Sequence, residues 1–137
     1  KTTPEEVDAR IAQLERDRVI LAYKAIVDDE RAESNLVKAV IEVKLTPERG
    51  GGFNRIAERI ARHHEVKDCF LMSGGYDLLV VVEGASLREV ASFVSEKLAT
   101  IEQVQGTATH FLLKTYKRQG VAMHAEDGEG RRLAVAP

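Results

Sequence analysis

The stretch that most constrains the fold is residues 69–84, where two apolar runs flank a short polar break containing two glycines. Both runs are rich in residues that suit a half-buried pleated surface, so the pattern predicts a β-hairpin with residues 73–77 at its tip. Glycine lets backbone N–H groups approach a partner, while Tyr76 offers an aromatic wall and Asp77 a charge suited to an ammonium group. The tip is therefore a candidate binding site, although a tight turn explains the same residues.

The chain from residue 34 to 117 repeats strand and helix patterns in a defined order. Period-two alternation and apolar runs predict four strands, at residues 36–45, 66–72, 78–83 and 104–116. Apolar stripes at helical spacing predict two helices, at residues 53–64 and 86–98. The order strand, helix, strand, strand, helix, strand is the split βαβ arrangement of an α+β, ferredoxin-like fold.

The strand at residues 78–83 is apolar on both of its faces. Two helices cover only one face of a four-stranded sheet, so the second apolar face needs another cover. We therefore expect a homodimer that forms at least partly through the sheets.

The first residues carry a strong helix-start signal, with Thr3 as cap, Pro4 at the first helical position and Glu6 three residues after the cap. The helix is expected to run to about Asp17 and to be followed by an extended apolar segment at residues 19–27. A charged linker then leads into the main domain. The predicted organisation is three parts, listed as residues 1–33, 34–117 and a flexible tail at 118–137.

Composition narrows the functional class. The net charge of −2 gives no general attraction to nucleic acid, so any DNA contact must be local. No apolar run approaches the roughly 20 residues that span a bilayer, and the first residues do not resemble a signal peptide. We therefore expect a cytoplasmic protein with no membrane partner.

Catalytic, metal and cofactor signals are weak throughout the chain. The single Cys69 lies in an apolar strand and is interpreted as a small buried hydrophobe. The spacing of the four histidines, His63, His64, His110 and His124, gives no metal site. Gly50–Gly52 before a helix fits a flexible loop better than a phosphate cradle, since no Walker lysine follows. We predict no catalytic residue, no metal and no cofactor.

Thr107 and Thr109 lie on one face of the last predicted strand, together with Phe111 and Leu113. Threonines in a strand are more often strand formers than ligands. In a ferredoxin-like sheet the last strand borders the first strand and not the hairpin. A single pocket that contains both the hairpin tip and these threonines therefore needs a neighbouring subunit.

Four stretches in the right order resemble the Lrp/AsnC family, the feast/famine transcription regulators. Residues 3–15 are similar to the recognition helix, and residues 19–27 to the strand that leaves the winged helix-turn-helix. Residues 72–79 resemble the glycine–x–tyrosine–aspartate motif, and residues 107–109 the threonine–x–threonine of the last strand. The chain thus resembles the effector-binding RAM domain preceded by the last helix and strand of a winged helix-turn-helix.

The resemblance implies a regulator that dimerises, often assembles four dimers into an octamer, and binds a small effector, usually an amino acid. Carried over by position, it implies seven effector-binding residues: Ser73, Gly74, Gly75, Tyr76, Asp77, Thr107 and Thr109. Asp77 would pair with the ammonium group and the glycine N–H groups with the carboxylate. It also implies DNA binding through the N-terminal part, with contacts from Thr3, Arg10 and Arg16.

This sequence departs from the family pattern at its start. The further helices that complete the helix-turn-helix are missing ahead of Lys1, and Glu5, Glu6 and Asp8 stand where a recognition helix meets phosphates. Two alternatives therefore stay open beside the amino-acid-responsive regulator. One is a stand-alone effector-sensing and oligomerisation module without DNA binding, and the other is a dimeric ferredoxin-like enzyme.

Overall fold

A computed structural model of the chain describes residues 1–123; the rest of the predicted tail, with His124, lies outside the described residues. Residues 29–116 form one compact unit, and residues 1–28 group with the chain from Lys117 in a second. The larger unit begins a few residues earlier than the predicted boundary at residue 34. Lys38 Nζ donates a hydrogen bond to Asp29 Oδ2 at 2.6 Å and holds this earlier segment to the sheet.

The larger unit contains the predicted four-stranded antiparallel sheet with its helices. The strands are β1 (Val37–Leu45), β2 (Val66–Leu71), β3 (Leu78–Gly84) and β4 (Val104–Phe111). The helices are α2 (Asn54–Ala61) and α3 (Leu87–Phe93), numbered after α1 (Pro4–Arg16) of the smaller unit. The helix α3 continues into a π-helical turn at Val94–Leu98. The sheet order β2-β3-β1-β4 confirms the ferredoxin-like arrangement.

The core lies between one face of the sheet and the helices. The two central strands bury alternate residues, which are Ala39, Ile41, Val43 and Leu45 of β1 and Leu78, Val80 and Val82 of β3. From the helices come Ile56, Ile60, Val90, Phe93 and Leu98. Each fully buried Leu, Ile or Val side chain stabilises the fold by about 1.5–3 kcal/mol relative to its exposed state. The alternation along β1 and β3 thus decides which face meets the helices.

The opposite face of the sheet, here called the open face, carries the other set of alternate residues. Val40 of β1 stands opposite Val81 of β3, and Leu79 stands beside Phe70 of β2. Val40, Leu79 and Val81 are only half-buried, and Phe70 is exposed. The strand β3 is therefore apolar on both faces, as predicted, and its second face has no helix of the larger unit over it.

Ser86 caps the helix α3, and Glu89 of the first turn reaches back to the residue before this cap. Ser86 Oγ accepts a hydrogen bond from the N–H of Glu89 at 3.1 Å. The Glu89 carboxylate accepts from the N–H of Ala85 at 2.6 Å instead of that of Ser86. Two N–H groups at the start of the helix are still satisfied, which is the physical purpose of the capping box.

The strand β4 ends at Phe111, five residues before the predicted end at Tyr116. Its ladder partner β1 begins at Val37, and the last bond along this edge runs from the Leu112 N–H to the Lys38 carbonyl at 2.9 Å. In this register Leu113 is opposite Val37, the first residue of β1, so residues 114–116 have no β1 backbone beside them and the predicted strand cannot continue to Tyr116.

The smaller unit starts with α1 (Pro4–Arg16), and both halves of its predicted capping box are present around Thr3 and Glu6. Residues 19–27 have no regular secondary structure and join no sheet among the described residues, so the predicted strand is absent there. Where a flexible tail was expected, β5 (Lys117–Arg118) pairs with β6 (Val121–Ala122) in a short hairpin. Within residues 1–123, no helix is long and apolar enough to cross a membrane.

Candidate functional site

The tip of the β2–β3 hairpin is an exposed loop that glycine makes possible. The Met72 N–H donates to the Asp77 carbonyl at 2.9 Å and closes the loop. Gly74 has φ +121°, a backbone conformation that residues with a side chain rarely adopt. In the described part of the chain, no hydrogen bond engages the N–H groups of Gly74, Gly75 and Tyr76. Three unpaired backbone donors are therefore available at one exposed position.

Asp77 is fixed to the neighbouring strand at the base of this loop. Its Oδ2 accepts a hydrogen bond from the Leu45 N–H at 2.7 Å, and its own N–H donates to the Val43 carbonyl at 3.0 Å. Within residues 1–123, Oδ1 has no hydrogen-bond partner. The half-buried carboxylate thus fastens the hairpin to β1 with one oxygen and leaves the other for a cation.

The register of the sheet brings Thr107 near the same end. Thr107 stands opposite Val43, whose carbonyl accepts from Asp77, and Thr109 stands opposite Ile41. Thr107 and Asp77 therefore flank β1 from its two sides, about 10 Å apart at two strand spacings. Both threonines are half-buried on the helix face, and neither hydroxyl has a hydrogen-bond partner in the described residues. Ser73, Gly74 and Gly75 are exposed, and Tyr76 is half-buried.

A polar network at the end of β1 was not predicted from the sequence. The Thr46 N–H donates to the Gln103 carbonyl at 2.8 Å, and Gln105 Nε2 donates to Thr46 Oγ1 at 2.7 Å. Gln103 Nε2 donates to Glu48 Oε1 at 3.1 Å. These contacts join residues more than 50 positions apart, so no spacing in the sequence could reveal them. They fix the loop after β1 next to the hairpin tip.

Glu65 is a second group that sequence reasoning missed, and its side chain is only 10% exposed. Lys97 Nζ donates to its Oε2 at 2.8 Å. His64 Nδ1 lies 3.2 Å from Oε1, an electrostatic contact without hydrogen-bond alignment. Burial opposes ionisation, but hydrogen bonds from Lys97 and the Glu65 backbone, with the charges of His64 and Lys97, lower the pKa of Glu65 below its ordinary value.

The surroundings of Glu65 do not form a catalytic or metal site. The His63 ring meets the Phe93 ring edge-on at 5.6 Å between centroids, which is a packing contact. In residues 1–123, no three His, Cys, Asp or Glu side chains group to hold a metal. Burial raises the pKa of the half-buried Cys69 thiol, in keeping with its interpretation as a small hydrophobe. A shallow surface depression with no enclosed volume lies beside Glu65 and Gly84, at the far end of β3 from the hairpin tip.

The residues predicted to contact DNA lie on and before α1, in the smaller unit. Arg10 and Arg16 are exposed, as are Glu5, Glu6 and Asp8 in the first turns. Thr3 Oγ1 accepts a hydrogen bond from the Glu6 N–H at 3.2 Å, so the hydroxyl caps the helix and keeps its proton for another acceptor.

Known proteins resemble this chain over most of its length. The sequence model of the Lrp/AsnC ligand binding domain matches residues 38–122. The uncharacterized HTH-type transcriptional regulator YugG of Bacillus subtilis (strain 168) is 46% identical over 133 residues, which cover 96% of this chain and 80% of that protein. The Bkd operon transcriptional regulator of Pseudomonas aeruginosa is 31% identical and matches 77% of this chain and 69% of its own length.

A solved structure gives the same fold. The crystal structure of a transcriptional regulator from Neisseria meningitidis in complex with L-Met has a TM-score of 0.65 and 27% identity, and the match covers 85% of this chain and 74% of that one. These relatives are transcription regulators and not enzymes, so the enzyme alternative is set aside. The chain belongs to the Lrp/AsnC family of transcription regulators and carries the family's ligand binding domain.

Proposed function

We propose that this chain is an amino-acid-responsive, DNA-binding transcription regulator whose RAM domain, residues 34–117, binds a small effector and controls assembly. The observation that carries the proposal is the hairpin tip, where three unpaired backbone N–H groups lie beside a partly occupied carboxylate. A free α-amino acid presents a carboxylate and an ammonium group, which are the complementary charges. The complex of the Neisseria meningitidis regulator with L-Met supports an amino acid as the ligand class.

Each effector-binding residue has a role that its chemistry permits. The N–H groups of Gly74 and Gly75 hold the ligand carboxylate, Asp77 Oδ1 accepts from the ammonium group, and Tyr76 forms one wall. Ser73 adds a hydroxyl at the exposed start of the loop.

Thr107 and Thr109 extend the proposed pocket beyond the tip. Their hydroxyls are unpaired, but β1 stands between them and the hairpin. A neighbouring copy of the chain therefore completes a pocket that uses both groups. This geometry makes the binding site a sensor of assembly, since ligand and neighbour occupy it together.

The unit of assembly in this proposal is a homodimer formed through the open face, and four dimers form an octamer. The half-buried Val40, Leu79 and Val81 favour a protein cover over water on that face. DNA binds through residues 1–33 when the helix-turn-helix is complete, with Thr3, Arg10 and Arg16 at the phosphates. Because its target is DNA, the regulator acts in the cytoplasm.

One observation favours a second candidate, a stand-alone effector-sensing module without DNA binding. Glu5, Glu6 and Asp8 are exposed at the start of α1 and oppose phosphates there. Salt-sensitive binding of duplex DNA by the full chain separates the two candidates: its presence supports the regulator and its absence the module.

The effector is tested with a thermal-shift panel of the twenty amino acids, followed by mass measurement with and without each hit. A saturable rise in Tm with one or two amino acids, together with a change in assembly, supports the proposal. If no amino acid shifts Tm and the assembly stays unchanged, the proposal of an amino-acid effector is overturned.

A further inference from the structure

Three arginines, here called the arginine row, follow the exposed side of α2: Arg55 and Arg59 lie on the helix, and Arg62 is its C-cap with helical backbone angles. All three are exposed. At about 100° per residue, positions 59 and 62 lie only about 40° and 20° from position 55 around the helix. The buried side of the helix, with Ile56 and Ile60, faces the core. The helix α2 thus has an apolar stripe on one side and, on the other, an exposed side that carries the arginines together with Glu58.

The charge of the arginine row is not neutralised by the surrounding protein. In the described part of the chain, none of the three guanidinium groups has a hydrogen bond or an ion pair. Two lysines of the same unit are neutralised by carboxylates, because Lys38 is paired with Asp29 and Lys97 with Glu65. A protein with a net charge of −2 therefore concentrates unpaired positive charge on one helix face.

The neighbouring charges extend this cationic surface more than they oppose it. Arg49 precedes the helix, and Lys67 follows it with its Nζ 3.3 Å from the His64 carbonyl. The exposed acidic groups nearby are Glu58 on α2 and Asp68 on β2. Along the helix and its flanks, cations therefore outnumber carboxylates.

We propose that the arginine row is a second DNA contact of this regulator, on its effector-binding domain and in addition to the N-terminal contact. From Arg55 to Arg62 the row covers seven residue steps, or about 10.5 Å of helix axis. One strand of a duplex presents about three phosphates over that length, at 3.4 Å of rise each. Guanidinium groups are suited to phosphate because they donate two parallel hydrogen bonds and stay charged. The contact reads no bases and adds affinity without sequence preference.

Charge complementarity favours DNA over an acidic segment of another copy. A duplex offers a regular line of fixed charges that matches a regular line of arginines, and it is the polyanion on which a transcription regulator acts. Within the chain, the longest acidic stretch, residues 28–33, is interrupted by Arg31, and Asp28, Asp29 and Glu30 already have partners. The other acidic clusters, which are Glu5, Glu6 and Asp8 and the group Glu126, Asp127 and Glu129, hold three carboxylates each and form no long line of charge.

The test is the salt dependence of DNA binding by the full chain, measured by fluorescence anisotropy on a random-sequence duplex between 50 and 200 mM NaCl. The variant Arg55→Gln/Arg59→Gln is expected to lower the slope of log K against log salt by about 1.8, since each phosphate contact contributes about 0.9. Affinity at 100 mM NaCl should fall about tenfold. Arg55→Lys/Arg59→Lys keeps the charge and should restore most of the slope.

A charge-matched control separates a local contact from net charge. Arg88→Gln/Lys114→Gln removes two exposed cations elsewhere in the unit and should change the slope by less than about 0.5. Equal effects of the two double variants, no effect of the arginine-row variant, or a changed assembly mass in that variant would overturn the proposal. If only Arg10→Gln/Arg16→Gln weakens DNA binding, the N-terminal DNA contact is supported and the proposed contact of the arginine row is overturned. If the parent chain binds no DNA at any salt, both fail.

Discussion

Asp77 Oδ2 accepts a hydrogen bond from the backbone N–H of Leu45 at 2.7 Å, across 32 positions of sequence. The Asp77 N–H donates to the Val43 carbonyl in the same contact region. The aspartate of the hairpin motif therefore fastens the tip to the last residues of β1. The same carboxylate that is proposed to meet the ligand also sets the position of the loop that carries it.

The first prediction separates these two tasks of Asp77. Asp77→Ala leaves the half-buried Leu45 N–H without an acceptor and should lower the free energy of unfolding by about 1–3 kcal/mol. Asp77→Asn keeps an oxygen for that N–H but loses the charge, so it should cost about 1 kcal/mol or less. Urea denaturation measures both stabilities, and calorimetric titration of the amino acid found in the thermal-shift panel measures affinity.

If Asp77 meets the ammonium group, Asp77→Asn should bind at least tenfold more weakly while it remains nearly as stable as the parent. Glu102→Ala is the control, because Glu102 is an exposed carboxylate in the turn before β4 with no partner in the described residues, and it should change stability by less than about 0.5 kcal/mol. An Asp77→Ala protein as stable as the Glu102→Ala protein would contradict the fastening role.

The second prediction concerns the two glycines of the tip, which differ in backbone conformation. Gly74 has φ +121°, whereas Gly75 does not have a positive φ. A Cβ on either residue would meet nothing within 4 Å. Gly74→Ala should therefore cost about 1–3 kcal/mol through backbone strain alone. Gly75→Ala should be neutral or stabilise by up to about 1 kcal/mol, because it restricts the unfolded chain. Equal Tm values for the two variants would contradict the described turn.

The third prediction concerns the partly buried ion pair of Glu65 and Lys97. Glu65→Gln preserves the shape but removes the charge that Lys97 Nζ contacts at 2.8 Å, and it should cost about 1–2 kcal/mol at pH 7. A double-mutant cycle with Lys97→Met should give a coupling energy of at least about 0.5 kcal/mol. A coupling energy of zero would mean that the pair adds nothing to stability.

The same pair predicts a pH dependence with a definite sign. Because folding lowers the pKa of Glu65 from an ordinary value of 4.5, its contribution is fully present above pH 4.5. It is lost as the pH falls through the lower, folded-state pKa. The stability difference between the parent and Glu65→Gln should therefore shrink as the pH falls below 4.5. A difference that grows below pH 4.5 would contradict the lowered pKa.

The order of elements could be predicted because the relevant signals are local. Alternation along β1 distinguishes Ile41 and Val43 from their polar neighbours, and Ser86 with Glu89 marks the start of a helix. The two-sided apolar character of β3 identified it as a strand needing a cover on each face. Each of these signals lies within about ten residues, so a single sequence contains it.

The features that could not be predicted depend on partners that are distant in sequence. The end of β4 at Phe111 is set by where β1 begins, and the pattern of β4 itself carries no such limit. The bond between Asp77 and Leu45 and the burial of Glu65 depend on how strands and helices meet in space. The hairpin of β5 and β6 has only two residues in each strand, which is too short for a periodic pattern.

The last prediction tests the homodimer through the open face. Val81 is half-buried at the centre of that face, opposite Val40 and beside Asp68. In an isolated subunit the charge that Val81→Glu introduces can reach water, so the free energy of unfolding should change by about 1 kcal/mol or less. Between two sheets the same charge would be buried without a partner at a cost of several kcal/mol, so the variant should be monomeric at micromolar concentration. Light scattering measures the mass, and Leu87→Glu, an equal change at a residue 59% exposed on α3, is the control and should remain a dimer. A Val81→Glu protein with the parent's mass would show that the open face is not the dimer contact, and the apolar residues of β3 would then need another cover.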